Sequence, residues 1–313
     1  MITRFHYLLA LCLFFYACAP TTDDTFDFMV IGDVPYHLPE DFPRFENMIQ
    51  AINAHKPAFT IHVGDIKSGS TPCSDEYYER IQAYFGQFEQ PLVYTPGDNE
   101  WTDCHRPACG AYDPEERLDK LRQLFFSQAQ SQGKNPLYLH TQNSYEGFEK
   151  FVENALWEAN NVSFATIHVV GSNNNLKLDS LALNDEFYER EMASLFWLNR
   201  VFDAAIEKNH QGIVIALHAG LNYRSQESSN GHLSFVKLLN ERVAAFDKPI
   251  LLLYGDFHKF AVDKPLVDEK RKVRTNFTQV QTFGDRDMHA VRIRVNPQNP
   301  TLFEVYQHFI PGN

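Results

Sequence analysis

Phe28-Met29-Val30-Ile31-Gly32-Asp33 is an uninterrupted apolar run that ends in Gly-Asp, and the chain repeats the device three times. Ile61-His62-Val63-Gly64-Asp65, Val93-Tyr94-Thr95-Pro96-Gly97-Asp98 and Leu251-Leu252-Leu253-Tyr254-Gly255-Asp256 are the other copies, and a fifth run from Ile213 to Gly220 delivers His218 in the same kind of place. Continuous apolar runs of this length read as buried parallel strands. Open α/β sheets collect their ligands at the carboxyl ends of such strands. Four carboxylates brought together there repel one another unless cations lie between them. The runs therefore predict an α/β fold with a metal site at its strand ends.

Outward from these runs, strand-like and helix-like segments alternate, as in α/β proteins with largely parallel sheets. Apolar Phe42, Phe45, Met48, Ile49 and Ile52 predict a helix over 41–54, with Pro43 tolerated in its first turn. Ser74 is an N-cap for a helix over 75–88, and Asp113-Pro114-Glu115-Glu116 opens another that runs to Phe125. The Gln-rich stretch 128–143 reads as a long loop or lid. Val162 to Val170 reads as a strand, with a turn over Gly171 to Asn175, and 186–208 as the longest helix. Beyond Asp256 the pattern changes to alternation at 278–283 and 290–295, which predicts half-exposed antiparallel strands closing the sheet. Asp33, Asp65 and Asp98 are evenly spaced, but the sequences between them differ, so they mark successive βα units and not repeats.

The composition, 44% hydrophobic and 22% charged over 313 residues, is that of a soluble globular protein, and the 26 phenylalanines predict an aromatic core or cleft. A formal net charge of -12 argues against nucleic-acid backbones and anionic membrane surfaces as partners. Arg4 followed by the apolar stretch Tyr7 to Ala17 reads as a signal peptide over residues 1–17, too short to span a bilayer. Phe15-Tyr16-Ala17-Cys18 reads as a lipobox with Cys18 the lipidated first residue, although Tyr16 is unusual in that box. Plain secretion with cleavage after Ala19 is the alternative, disfavoured by Pro20 just past the cut. Residues 18–25 then form a tether, and 26–313 a single domain. The expected location is the periplasm or cell envelope, with membrane contact only through the lipid anchor.

An exported chain meets an oxidising compartment. Beyond the signal only Cys73, Cys104 and Cys109 remain, so at most one internal bridge forms. Cys73 and Cys104 each follow a Gly-Asp strand end and are the favoured pair, with Cys104–Cys109 second. A zinc site using His105 lacks the four-ligand spacing.

The ordered set Asp33, Gly64-Asp65, Gly97-Asp98-Asn99-Glu100, His218 and Gly255-Asp256-Phe257-His258 resembles the motifs of the calcineurin-like metallophosphoesterase superfamily, from about Phe28 to Val262. Ser194-Leu195-Phe196-Trp197-Leu198-Asn199 is similar to the helix that precedes the family's lone histidine. The resemblance implies a layered α/β sandwich of two mixed sheets flanked by helices. It implies that Asp33, Asp65 and His258 hold one metal and that Asp65, Asp98, His218 and Asp256 hold the other, with Asp65 bridging. The chain departs from the family pattern at Pro35, in place of a ligand histidine, and at Ser68, in place of an aspartate. Asp98 replaces the ligand asparagine, Asn99 the histidine that assists the leaving group, and Asp256 the first histidine of the last motif.

Four carboxylates and two imidazoles suit Mn²⁺, Mg²⁺ or Ca²⁺ better than softer metals, with Fe or Zn less favoured. Two divalent ions would activate a water for attack on a phosphoester. With the leaving-group histidine replaced, Asn99, Glu100 and His105 are the candidate catalytic residues on these loops, with His37 a further one, and Lys67 and Arg106 are candidate phosphate binders. His62, inside its strand, reads as a hydrogen-bonded core residue. Asn173 to Asn175 read as a turn. The function implied is hydrolysis of a small-molecule phosphoester. The alternatives are a lipoprotein that keeps the fold and binds a ligand or partner without turnover, and aspartates that merely cap turns. No dinucleotide loop, Walker loop or Gly-x-Ser-x-Gly elbow stands at these strand ends.

Overall fold

The first three apolar runs become β1 (Phe26–Ile31), β2 (Thr60–His62) and β3 (Leu92–Tyr94), which lie side by side in parallel. The structure, a computed structural model, describes residues 25–179 and 184–313. The expected signal, Cys18 and nearly all of the tether fall outside the described residues. Seven strands build a second sheet in the order β4-β5-β6-β7-β8-β10-β9. They are β4 (His140–Thr141), β5 (Ala155–Ala159), β6 (Val162–Thr166), β7 (Gly212–Ala216), β8 (Ile250–Tyr254), β9 (Ala261–Asp263) and β10 (Phe277–Gln281). The chain then returns to the first sheet as β11 (Ala290–Val295) and β12 (Phe303–His308), giving the order β12-β11-β1-β2-β3.

Both sheets are mixed. β6, β7, β8 and β10 are parallel, whereas β4, β5 and β9 pair antiparallel with their neighbours. The alternating segment at 278–283 was expected to be antiparallel; it is β10, and it runs parallel to β8. Nor is it half-exposed: Gln279, Gln281 and Thr282 are buried, with the Gln279 and Gln281 side chains hydrogen-bonded to the Tyr223 and Tyr254 hydroxyls, so its polar positions mark buried hydrogen bonds and not a solvent face. The segment at 290–295 does pair antiparallel, with β1 and β12.

The side-chain period of β1 explains the layering. Phe28 and Val30 point between the sheets and join Phe59, Phe164, Val214, Leu251 and Val280 in a shared core. Phe28 meets Phe164 edge to face at 5.4 Å, so much of the aromatic content is spent joining the two sheets. Met29 and Ile31 point the other way, onto α1 (Asp41–His55), α2 (Asp75–Phe85) and α3 (Pro114–Phe125). The outer face of the second sheet is covered by α4 (Asp185–Glu207) and α5 (Leu233–Ala245). The result is a helix–sheet–sheet–helix sandwich.

Local chemistry sets the helix ends. The Ser74 hydroxyl accepts from the Tyr77 amide at the start of α2, and the Asp113 carboxylate accepts from the Glu115 and Glu116 amides at the start of α3. α2 stops at Phe85, short of the expected Phe88, because Gly86 follows. The stretch 128–143 is not a lid. Gln132 exchanges backbone hydrogen bonds with Leu92, at the opposite end of β3 from Asp98.

Candidate metal centre

The loops after β1, β2, β3, β7 and β8 converge on one spot. Asp33, Asp65, Asp256 and His258 all take positive φ, at 55°, 57°, 77° and 62°. Such backbone is uncommon for non-glycine residues and persists where surrounding structure enforces it, often at functional sites. The loops also approach closely: a Cβ on Gly97 would lie 2.2 Å from Asp65 Oδ1, so only glycine fits there.

Two clusters of ligand-type atoms result, Asp33/Asp65/His218 and Asp98/His218/Asp256, with the atoms of each within 4.8 Å of one another. His218 belongs to both. Its Nδ1–H donates to the Val63 carbonyl at 2.9 Å, which turns Nε2 toward the acids. Nε2 is 3.3 Å from Asp65 Oδ1 and 3.0 Å from Asp98 Oδ1. Nε2 and Asp98 Oδ1 are thus an ion pair by distance, yet both are buried without a hydrogen-bond partner. Ser172, on a left-handed turn after β6, donates to Asp98 Oδ2 at 2.7 Å, and the Gly220 amide donates to Asp256 Oδ2 at 2.8 Å. His258 stands at the rim, Nε2 3.5 Å from Asp33 Oδ1, outside both tight clusters.

The electrostatics are those of a site short of positive charge. Burial, reinforced by Asp256 and Asp98, pushes the Asp33 carboxyl up to about 7 against the pull of His218. Burial and the neighbouring acids raise Asp65 well above the carboxylate range, again opposed by His218. Burial disfavours the His218 imidazolium, but Asp65, Asp98 and Asp33 outweigh it and raise that group well above the usual histidine range. Asp98 is also opposed by burial, yet His218 and the Ser172 hydroxyl hold it below its ordinary value. Protons fill a role that divalent cations would fill better. Oxygen-rich donors, buried ligand atoms that make no hydrogen bond and a tautomer fixed by Val63 all fit such ions.

The remaining expected residues divide. Asn99 is in the site: its amide donates to Asp65 Oδ1 at 3.0 Å and its Nδ2 to Asp65 Oδ2 at 2.5 Å. Glu100 is a buried brace instead of a proton donor, since Oε1 accepts from the Gly97 and Asp65 amides and the Tyr94 hydroxyl. Lys67 is corrected more sharply. It is fully buried and its Nζ donates to the Asn99 and Ser68 carbonyls, so it secures the loop and is not presented to a phosphate. Arg106 pairs with Asp103 at 2.8 Å, His105 is exposed with Nδ1 on the Thr102 carbonyl, and the exposed His37 pairs with Asp285. His62 is a buried core imidazole, pushed down to about 3 by burial and therefore neutral.

The Cys73–Cys104 bridge forms beneath the Lys67 loop, and Cys109 stays free and buried. Tyr36 was missed. Its hydroxyl donates to Asp65 Oδ2 at 2.5 Å, and its ring meets His258 edge to face at 5.0 Å. The available signal was a hydroxyl-bearing aromatic one residue past Pro35, where the metal histidine is missing.

Residues 26–260 match the family described as calcineurin-like phosphoesterase, and the chain belongs to that family. Among solved structures it is similar to the purple acid phosphatase PPD1 of yellow lupin, Lupinus luteus. That match has 14% identity and a TM-score of 0.51, over 93% of this chain and 54% of the other. It is also similar to GAP50 of Plasmodium, described as the anchor in the inner membrane complex, at 12% identity and a TM-score of 0.50, over 92% and 90% of the two chains. At these identities the likeness shows a shared fold. No curated protein matches the chain in sequence.

Proposed function

We propose that this protein is a hydrolase of small-molecule phosphoesters that uses two divalent ions, with Mn²⁺, Mg²⁺ or Ca²⁺ favoured by its oxygen-rich donors. The observation that carries the reading is the convergence of buried Asp33, Asp65 and Asp98 on His218 Nε2, with Nε2 and Asp98 Oδ1 facing each other at 3.0 Å without a hydrogen bond. Asp33, Asp65, Asp98, His218, Asp256 and His258 would hold the ions, which supply charge neutralisation and an acidified water. The protein's own share is orientation. Val63 sets the His218 ring, Tyr36 and Asn99 hold the Asp65 carboxylate, and Ser172 holds Asp98. Attack by water in line with the departing alcohol needs no covalent intermediate on the enzyme.

An exported, lipid-anchored protein of the cell envelope is the matching location. The Cys73–Cys104 bridge, typical of oxidising compartments, and the Arg4-to-Cys18 sequence support it.

The test is metal content by mass spectrometry, with hydrolysis of aryl phosphomonoesters and diesters under added Mn²⁺ and Asp65→Asn as control. About two equivalents of metal and turnover lost in the variant is the expected result. Metal without turnover on any ester would favour ligand binding over catalysis, and absence of metal would overturn the centre itself.

A further inference from the structure

Phe257 lies between two residues of the centre, Asp256 and His258, and is 60% exposed. Both neighbours turn toward the centre, Asp256 into the Asp98/His218 cluster and His258 to within 3.5 Å of Asp33, whereas the phenyl ring between them in sequence stays largely in solvent. The ring does not hang free. It lies over Gly220, where a Cβ would come within 2.3 Å of it. The Gly220 amide donates to Asp256 Oδ2, so the backbone under the ring is hydrogen-bonded to a member of the Asp98/His218/Asp256 cluster. An aromatic ring seated on backbone at the rim of a polar centre offers a flat apolar face to whatever enters.

Resting on the phosphoester reading above, we propose that Phe257 is a specificity-determining residue that stacks a planar aromatic group carried by the phosphoester. The substrate class is thereby narrowed to esters of aryl or nucleoside type, and simple alkyl phosphates are poor ligands. The ring makes no contact with the reacting atoms; its contribution is to ground-state binding and therefore to KM.

Binding of phosphonates, which cannot be hydrolysed as esters, separates this inference from the catalytic reading. Titration calorimetry on the Mn²⁺-loaded protein would compare phenylphosphonate with methylphosphonate. The wild type is expected to bind the phenyl compound about five- to tenfold more tightly, in keeping with aromatic pairing. In Phe257→Ala the preference should fall to about twofold with methylphosphonate affinity unchanged, and Phe257→Tyr should retain it. Equal affinity of the wild type for both probes would overturn the inference, as would an alanine variant that weakens both alike. Binding of neither probe by the wild type would overturn the phosphoester reading, and this inference with it.

Discussion

The phenolic oxygen of Tyr36 and Oδ2 of Asp65 are 2.5 Å apart, inside a site where the first motif carries Pro35 instead of a ligand. Burial and the charges of Asp65 and Asp33 raise the phenol well above its usual range, so it remains a donor at any working pH. It orients the carboxylate expected to bridge the metals. Groups that orient metal ligands are commonly worth ten- to hundredfold in affinity. Tyr36→Phe is therefore expected to weaken Mn²⁺ binding at least about tenfold by calorimetry. The ring packing on His258 is kept, so the fold should survive. Unchanged affinity would remove Tyr36 from the centre.

Asp33 gives a pH prediction for the metal-free protein. Its folded pKa, about 7, lies above the ordinary value of 3.8, so the proton favours the folded state. That stabilisation is complete below about pH 4 and is lost as pH rises through 7, by linkage on the order of 4 kcal/mol at most. After chelation, the melting temperature of the wild type should fall from pH 4 to pH 8 relative to Asp33→Asn. Saturating Mn²⁺ should abolish the difference in slope. Parallel curves for the two chelated proteins would contradict the burial argument.

Lys67→Met tests the correction made to that residue. Two carbonyl hydrogen bonds to a cation are lost, partly offset by relief from burying the charge, which already lowers the lysine's pKa. The expected cost is about 1–3 kcal/mol of stability. Inhibition by inorganic phosphate should stay within about twofold of wild type. A tenfold loss of phosphate affinity in a folded variant would restore Lys67 as a substrate contact.

The strand ends were legible because each combines two signals, an apolar run and a Gly-Asp. Nothing local obscured that pairing at Asp33, Asp65 or Asp256. Strand direction was not legible: the polar positions of β10 are buried like its apolar ones, and only the partner strand β8 decides that it is parallel. Short strands such as β4, two residues long, carry no pattern at all. The roles of charged groups were the hardest to read. Lys67 and Glu100 look functional by proximity in sequence, yet each is turned into the loop by backbone groups that a linear reading cannot locate. Tyr36 failed for the opposite reason, since its partner Asp65 lies 29 residues away.

The cysteines give the last prediction. Cys73 and Cys104 are bridged across a sequence separation of 31, and the bridge ties the start of α2 to the loop that carries Asn99. Loop-closure entropy for that span gives about 3–4 kcal/mol. Cys73→Ala combined with Cys104→Ala should therefore lower the melting temperature by about 5–10 °C. Cys109 donates to the Gly69 carbonyl at 3.1 Å and is buried, so in the native wild type the Cys109 thiol should not react with a disulfide reagent until the protein unfolds. The single variant Cys73→Ala leaves Cys104 without its partner on the loop that also carries Cys109, whose carbonyl accepts from the residue-73 amide. Peptide mapping should then find either two free thiols or a Cys104–Cys109 bridge, and the second outcome would show that this loop can be re-tied. A double variant that melts with the wild type would mean that the Cys73–Cys104 bond does not form in solution, and would remove one support for export.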